Sequence, residues 1–371
     1  KELGKHVVFL RPLASDFALR WEWDAEGFGT PLRLTPEQTD FYSRTESDFS
    51  RARASAGVCL ECHTDADALS FEYCLSPGSS RDLWGFDLYL GRRLFAHTEG
   101  TLSGPHAGVW KVPLPQGEKH LRLFLPNLAV TSLRDVELTG ASYAHRPIHP
   151  RRLLCFGDSI TQGYATHFPS MTLANLLGLK LDAALLNQGM AGEVFYGGSL
   201  QKLPDFPPDL ILIAYGTNDW QSKTKAAFRR DAEAYLRTVR AFWPEAFAAV
   251  LTPIWRIDRD TPFTKGFLFP HVREILEEIC ESIPGMRVID GENLLPPVKE
   301  LMEDGKVHPN ELGFQIYAER VFQEISTAAQ RKTDFPPGPP EQRNPLPAHT
   351  ATLSVPPQDG SAAEPPLPYH P

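Results

Sequence analysis

Arg151-Arg152-Leu153-Leu154-Cys155-Phe156-Gly157-Asp158-Ser159-Ile160-Thr161 is the stretch on which the reading of this chain turns. Leu153 to Phe156 is apolar without alternation, as a strand reads when both of its faces are covered in a parallel sheet flanked by helices. Gly157, Asp158 and Ser159 follow at its carboxyl end. In an open α/β sheet that end borders the crevice where ligands bind, so Ser159 is a candidate nucleophile by position. The same three residues also suit a plain turn, in which Asp158 and Ser159 only cap the next helix.

Downstream the rhythm repeats. Ala184-Leu185-Leu186, Leu210-Ile211-Leu212-Ile213-Ala214, Ala249-Val250-Leu251 and Arg287-Val288-Ile289 are further short apolar runs. Between them, helical patterns cover residues 170–179, 226–242 and 272–282, and a last one runs from Asn310 to about Ala328. Alternation of this kind predicts a doubly wound α/β domain over residues 150–330.

Upstream the texture differs. Phe17-Ala18-Leu19-Arg20-Trp21-Glu22-Trp23, Val58-Cys59-Leu60-Glu61-Cys62 and Leu121-Arg122-Leu123-Phe124-Leu125 alternate with period two and are separated by Gly, Pro, Asp and Ser. This predicts a separate all-β domain over residues 1–149, an antiparallel sandwich of jelly-roll-like form. No helical pattern longer than a turn or two stands out there. From residue 331 to the end proline is dense and large apolar residues are scarce. Such a segment cannot offset its ordering entropy and is expected to be disordered.

A chain of 371 residues is long enough for two cores. Its formal net charge of −9 gives no basic field for gathering phosphate backbones, so a small neutral or polar substrate is expected rather than nucleic acid. No apolar run reaches the length of a membrane span. The five cysteines, Cys59, Cys62, Cys74, Cys155 and Cys280, are odd in number and sparse, unlike a disulfide framework, and favour a reducing, cytoplasmic setting. The chain begins at Lys1 rather than Met, which leaves export open. Cys59-Leu60-Glu61-Cys62-His63 formally matches a c-type haem attachment site. Its alternating context instead predicts a strand with Val58, Leu60 and Cys62 on one face, and it offers no second ligand pair for zinc.

Four blocks then fall in order: Gly157-Asp158-Ser159-Ile160-Thr161, Asn187-Gln188-Gly189-Met190-Ala191-Gly192, Gly216-Thr217-Asn218-Asp219 and His308-Pro309-Asn310. Together they resemble the SGNH (GDSL-like) hydrolases across residues 151–325, and in particular two-domain members with an N-terminal β-sandwich, some of them carbohydrate acetylesterases. The resemblance implies a flavodoxin-like sheet and a serine esterase that needs neither metal nor organic cofactor. It implies Ser159 as nucleophile and His308 as general base. The oxyanion donors would be the Ser159 and Gly189 main-chain N–H groups and the Asn218 carboxamide. Pre-aimed donors of this sort are worth roughly 3 to 4 kcal/mol each, and glycine at 189 is expected to let the substrate approach the main chain.

One departure is visible. The acid that orients the histidine usually lies three residues ahead of it, where this chain has Gly305. Asp304, four ahead, is expected to take the role if one residue such as Lys306 bulges; Glu303 or a main-chain carbonyl are the substitutes. Asp158 is expected to tie down the turn, and Trp220, Trp255, Arg256, Phe195 and Tyr196 either wall the pocket or pack the core. A small acyl ester, such as an O-acetyl group on a saccharide, is the expected substrate. An acyltransferase using the same serine, or a carbohydrate-binding protein with a decayed site, would carry the same blocks. No partner beyond the small-molecule or saccharide ester is expected, neither nucleic acid nor membrane, and the oligomeric state is open.

Overall fold

In the computed structural model the chain is described over Val7–Phe9 and residues 17–331, apart from 262–264 and 266. The tail expected over 331–371 lies outside the described residues except for Arg331, which ends the last helix.

Five parallel strands form the sheet of the second half, in the order Ala183–Asn187, Arg151–Gly157, Leu210–Ala214, Phe247–Leu251, Met286–Ile289. The first strand in sequence thus sits second in space. That order is flavodoxin-like, and the crevice falls where the chain leaves the first strand and its neighbours depart in opposite directions. Leu153, Leu154 and Cys155 are buried as the apolar run requires. Each Leu held there stabilises the sheet by about 2 kcal/mol relative to exposure. Lys225–Phe242 and Pro270–Glu281 pack on one face, and Leu173–Leu181 and Glu311–Arg331 on the other.

The first half holds two antiparallel sheets. One runs Arg20–Trp23, Gly29–Leu32, Ala129–Thr139, Ala68–Pro77, His106–Pro113, with Val7–Phe9 also on Ala129–Thr139. The other runs Ala144–His145, Cys59–Thr64, Lys119–Phe124, Leu83–Leu90, Arg93–Thr101. Strict in–out alternation along Ala68–Pro77 turns Leu69, Phe71, Tyr73 and Leu75 into the core between them. Val58, Leu60 and Cys62 join that core, as the alternation predicted. Cys59 and Glu61 point the other way, toward the parallel half; Glu61 is buried with Arg122, His120 and His149.

Two short helices lie within the β-rich half, Pro36–Tyr42 and Glu46–Arg53. Both are two-turn elements set by their caps rather than by an apolar stripe. Thr35 accepts from the Gln38 N–H while the Gln38 side chain accepts from the Thr35 N–H, with Pro36 at the first helical position. Thr45 accepts from Asp48 in the second helix.

The two halves belong to one compact unit. No described helix is long and apolar enough to cross a membrane.

Candidate active site

Ser159 opens a four-residue helix, Ser159–Gln162, immediately after the central strand. Asp158 caps it by accepting from the Ile160 N–H at 3.0 Å, which is the turn-fixing role its position suggested. As the first helical residue, Ser159 has a main-chain N–H with no partner inside the helix, and that N–H is available to an oxyanion. Burial pushes the Asp158 carboxyl up to about 6.

His308 comes from the far end of the chain. Its Nε2 lies 2.8 Å from the Ser159 Oγ. Its Nδ1 lies 2.7 Å from Asp304 Oδ2. A carboxylate can only accept, so Nδ1 carries the proton and Nε2 is left to take one from the serine. Ser159, His308 and Asp304 are therefore brought together in the order that base-assisted attack needs, across 149 positions of sequence.

The loop shows how an acid four residues ahead reaches the ring. Gly305 adopts φ +63°, a left-handed turn that glycine accepts without strain. Around that turn, Asp304 Oδ1 accepts from the N–H groups of Lys306, Val307 and His308 while Oδ2 faces the imidazole. The loop base is closed by the Glu303 N–H on the His308 carbonyl at 2.8 Å. Glu303 thus serves through its main chain, and its carboxyl is not the ring's partner. Partial burial would raise the Asp304 carboxyl, but the His308 hydrogen bond and the three main-chain donors outweigh it and hold the group well below the usual carboxylate range.

Gly189 sits against the serine's helix. A Cβ there would lie 2.7 Å from the Gln162 N and 2.8 Å from the Thr161 carbonyl carbon. Glycine is thus required here by the close approach of the serine's helix. The Gly189 N–H donates to Asn187 Oδ1 at 2.9 Å, and Asn187 Nδ2 donates to the Thr161 carbonyl at 2.8 Å. Asn218, at the start of the helix Thr217–Ser222, donates one amide hydrogen to the Glu193 carbonyl at 2.9 Å. The second amide hydrogen of a carboxamide then remains for another acceptor.

Several residues that frame the site had no signal in the motif blocks. Arg33, fully buried, donates to the carbonyls of Asn187, Gly189, Ala54 and Arg51. It therefore fastens the Gly189 loop to the β-rich half. Gln38, on the first short helix, exchanges amide hydrogen bonds of 3.0 Å with Gln188. Asn127 donates to the Gly163 carbonyl just past the serine's helix. Tyr164 stands beside His308, ring centroids 5.3 Å apart, with its hydroxyl held by Ser80. The Thr35-Pro36-Glu37-Gln38 capping box was the one legible cue to this wall.

Of the aromatic candidates, Trp220 and Phe195 are core residues. Arg256 is buried under Trp220 and bonded to Thr217 and Asp258. Tyr196 is 49% exposed and stacks on Phe41.

A serine hydroxyl and an oriented imidazole at the carboxyl end of a parallel sheet are the arrangement expected of an SGNH-type hydrolase. Residues 155–316 match the GDSL-like lipase/acylhydrolase family. The chain thus carries a GDSL-like acylhydrolase domain and is, by class, a carboxylic ester hydrolase. No curated protein matches it. Similar solved structures include a salicylyl-acyltransferase from a tetracycline biosynthetic pathway, with TM-score 0.76, 21% identity, and 89% of this chain and 99% of that one covered. A family two carbohydrate esterase from Cellvibrio japonicus has TM-score 0.59 and 16% identity over 88% of this chain and 98% of that one. An acetyl xylan esterase from the rumen bacterium Butyrivibrio proteoclasticus has TM-score 0.59 and 12% identity over 88% and 99%. At these identities the likeness is one of fold.

Proposed function

We propose that the protein hydrolyses small acyl esters through an acyl-enzyme on Ser159, and that O-acetyl groups on saccharides are the substrate class to which it is fitted. The observation that carries this reading is the unbroken chain Ser159 Oγ, His308 Nε2, His308 Nδ1, Asp304 Oδ2, with links of 2.8 and 2.7 Å. In the reaction, Ser159 Oγ forms a bond to the ester carbonyl carbon and its proton passes to His308 Nε2. The carbonyl oxygen becomes an oxyanion, received by the Ser159 N–H, the Gly189 N–H and the free Asn218 amide hydrogen. Gly189 shares its hydrogen between this oxyanion and Asn187 Oδ1. On collapse the alcohol leaves with the proton from His308, and water repeats the sequence to release the acid.

The saccharide part of the proposal draws on the carbohydrate and acetyl xylan esterases of the same two-part fold, and on a net charge that suits a neutral polar substrate. The intact contact between Asp304 and His308 favours a working site over a decayed one. An ester panel including acetylated xylo-oligosaccharides, run on wild type and Ser159→Ala, tests the reading. Turnover should fall by about 10,000-fold or more in Ser159→Ala with the thermal midpoint nearly unchanged. Comparable turnover in that variant would refute the nucleophile. Release of free acetate marks a hydrolase, whereas acetyl appearing on an added alcohol marks an acyltransferase.

A further inference from the structure

The β-rich half reaches into the site through Ser79, Ser80 and Arg81. Ser80 bonds the Tyr164 hydroxyl through both its N–H, at 3.2 Å, and its Oγ, at 3.1 Å. The Ser79 hydroxyl accepts from the Arg81 N–H at 2.8 Å. So braced, the Arg81 guanidinium carbon lies 5.9 Å from the Tyr164 ring centre. Arg81 Nη2 is 3.9 Å from Asp304 Oδ2, the same oxygen that faces His308 Nδ1. One carboxylate oxygen is therefore shared between the catalytic imidazole and a cation delivered by the other half of the molecule.

We propose that Arg81 is a positioning residue of the ester-hydrolysing site: it holds the Asp304 carboxylate in line with His308 and offsets part of the negative charge that this oxygen presents to the ring. This rests on the Ser159–His308 reading above and adds to it a part for the sandwich. Two effects oppose each other here. Asp304 stabilises an imidazolium, which helps the proton transfer but also tends to charge the ring before substrate arrives. A guanidinium on the same oxygen weakens that second tendency. Arginine suits this because it remains charged throughout the working range.

The other charged groups around the ring are accounted for. Asp158 is buried and interacts electrostatically with His308. Lys306, on the His308 loop, turns its Nζ to Asp258 at 3.3 Å. Glu303 is exposed, and Glu311 is bonded to Thr166. Among the described residues, Arg81 is thus the cation that meets Asp304 from outside its own loop.

The test compares wild type, Arg81→Gln, Arg81→Lys and Arg81→Glu by the pH profile of kcat/KM on one neutral acetyl ester, with thermal midpoints taken in parallel. In Arg81→Gln the acid limb should move up by roughly half a pH unit, read as about a threefold loss below the limb and little above it. Arg81→Lys should keep the limb near wild type, and Arg81→Glu should carry it further up. Because the guanidinium is 38% exposed, high salt should shrink these differences. Superimposable profiles, or an equal loss at every pH, would overturn the proposal. The pH at which the His308 ring resonance titrates, followed by NMR in the Ser159→Ala background, gives the same comparison without turnover. An inactive wild type whose His308 titration still moves with Arg81 would refute the esterase reading while leaving the pairing intact.

Discussion

Asp304 does two jobs with two oxygens, and they can be separated by substitution. In Asp304→Asn the Oδ1 atom can still accept from Lys306, Val307 and His308, so the loop should hold. The new amide would present hydrogens to Nδ1, which forces the proton onto Nε2 and leaves nothing to receive the serine proton. Asp304→Asn should therefore lose about a thousandfold or more in kcat with a small change in thermal midpoint. A mild loss would mean that another acceptor can orient the ring. Asp158 tests a different effect. Burial raises its carboxyl from 3.8 to about 6, so the folded state holds that proton more tightly than the unfolded chain. Its contribution to stability is complete below about pH 4 and is lost as pH rises through about 6, an effect of about 3 kcal/mol. Asp158→Asn keeps an acceptor for the Ile160 N–H and should flatten that decline. Urea unfolding at pH 4 and pH 7.5 checks it, and equal declines in both proteins would contradict the cause assigned.

At the scale of elements, the loop after Ala183–Asn187 and the helix Ser159–Gln162 are set against each other with no space for a methyl group at residue 189. Gly189→Ala must push backbone against backbone, so it should cost about 1 to 3 kcal/mol of stability. Turnover should fall by about 10-fold to 100-fold through displacement of the proposed oxyanion donors. Stability loss with unchanged kcat would separate the loop from the chemistry. The strands of this half were legible because unbroken apolar runs such as Leu210–Ala214 have no other comfortable fold. The helices Pro36–Tyr42 and Glu46–Arg53 escaped notice because they are short, polar and held by caps and by contacts across the molecule. Gln38 acquires its meaning only beside Gln188, 150 positions away.

Across the whole molecule, the order and place of the four blocks made Ser159, His308 and the sheet readable, since each block terminates a strand or precedes a helix. What could not be read were the contacts by which one half grips the other. Arg33 looks like any polar residue in sequence, yet it is a buried cation satisfied by four carbonyls that include those of Asn187 and Gly189. Ser80, Asn127 and Asp87 likewise bond Tyr164, Gly163 and Ser170 across the interface. Residues 150–331 expressed alone should show no cooperative unfolding and no esterase activity, whereas the full chain should unfold in one transition; an active excised half would show the sandwich to be dispensable. The most direct measurement of the central claim is covalent labelling with a fluorophosphonate followed by peptide mass analysis. One adduct on the peptide bearing Ser159, lost in Ser159→Ala and strongly slowed in His308→Ala, is the result expected. Ester turnover with Ser159 unlabelled, or labelling indifferent to His308, would contradict it.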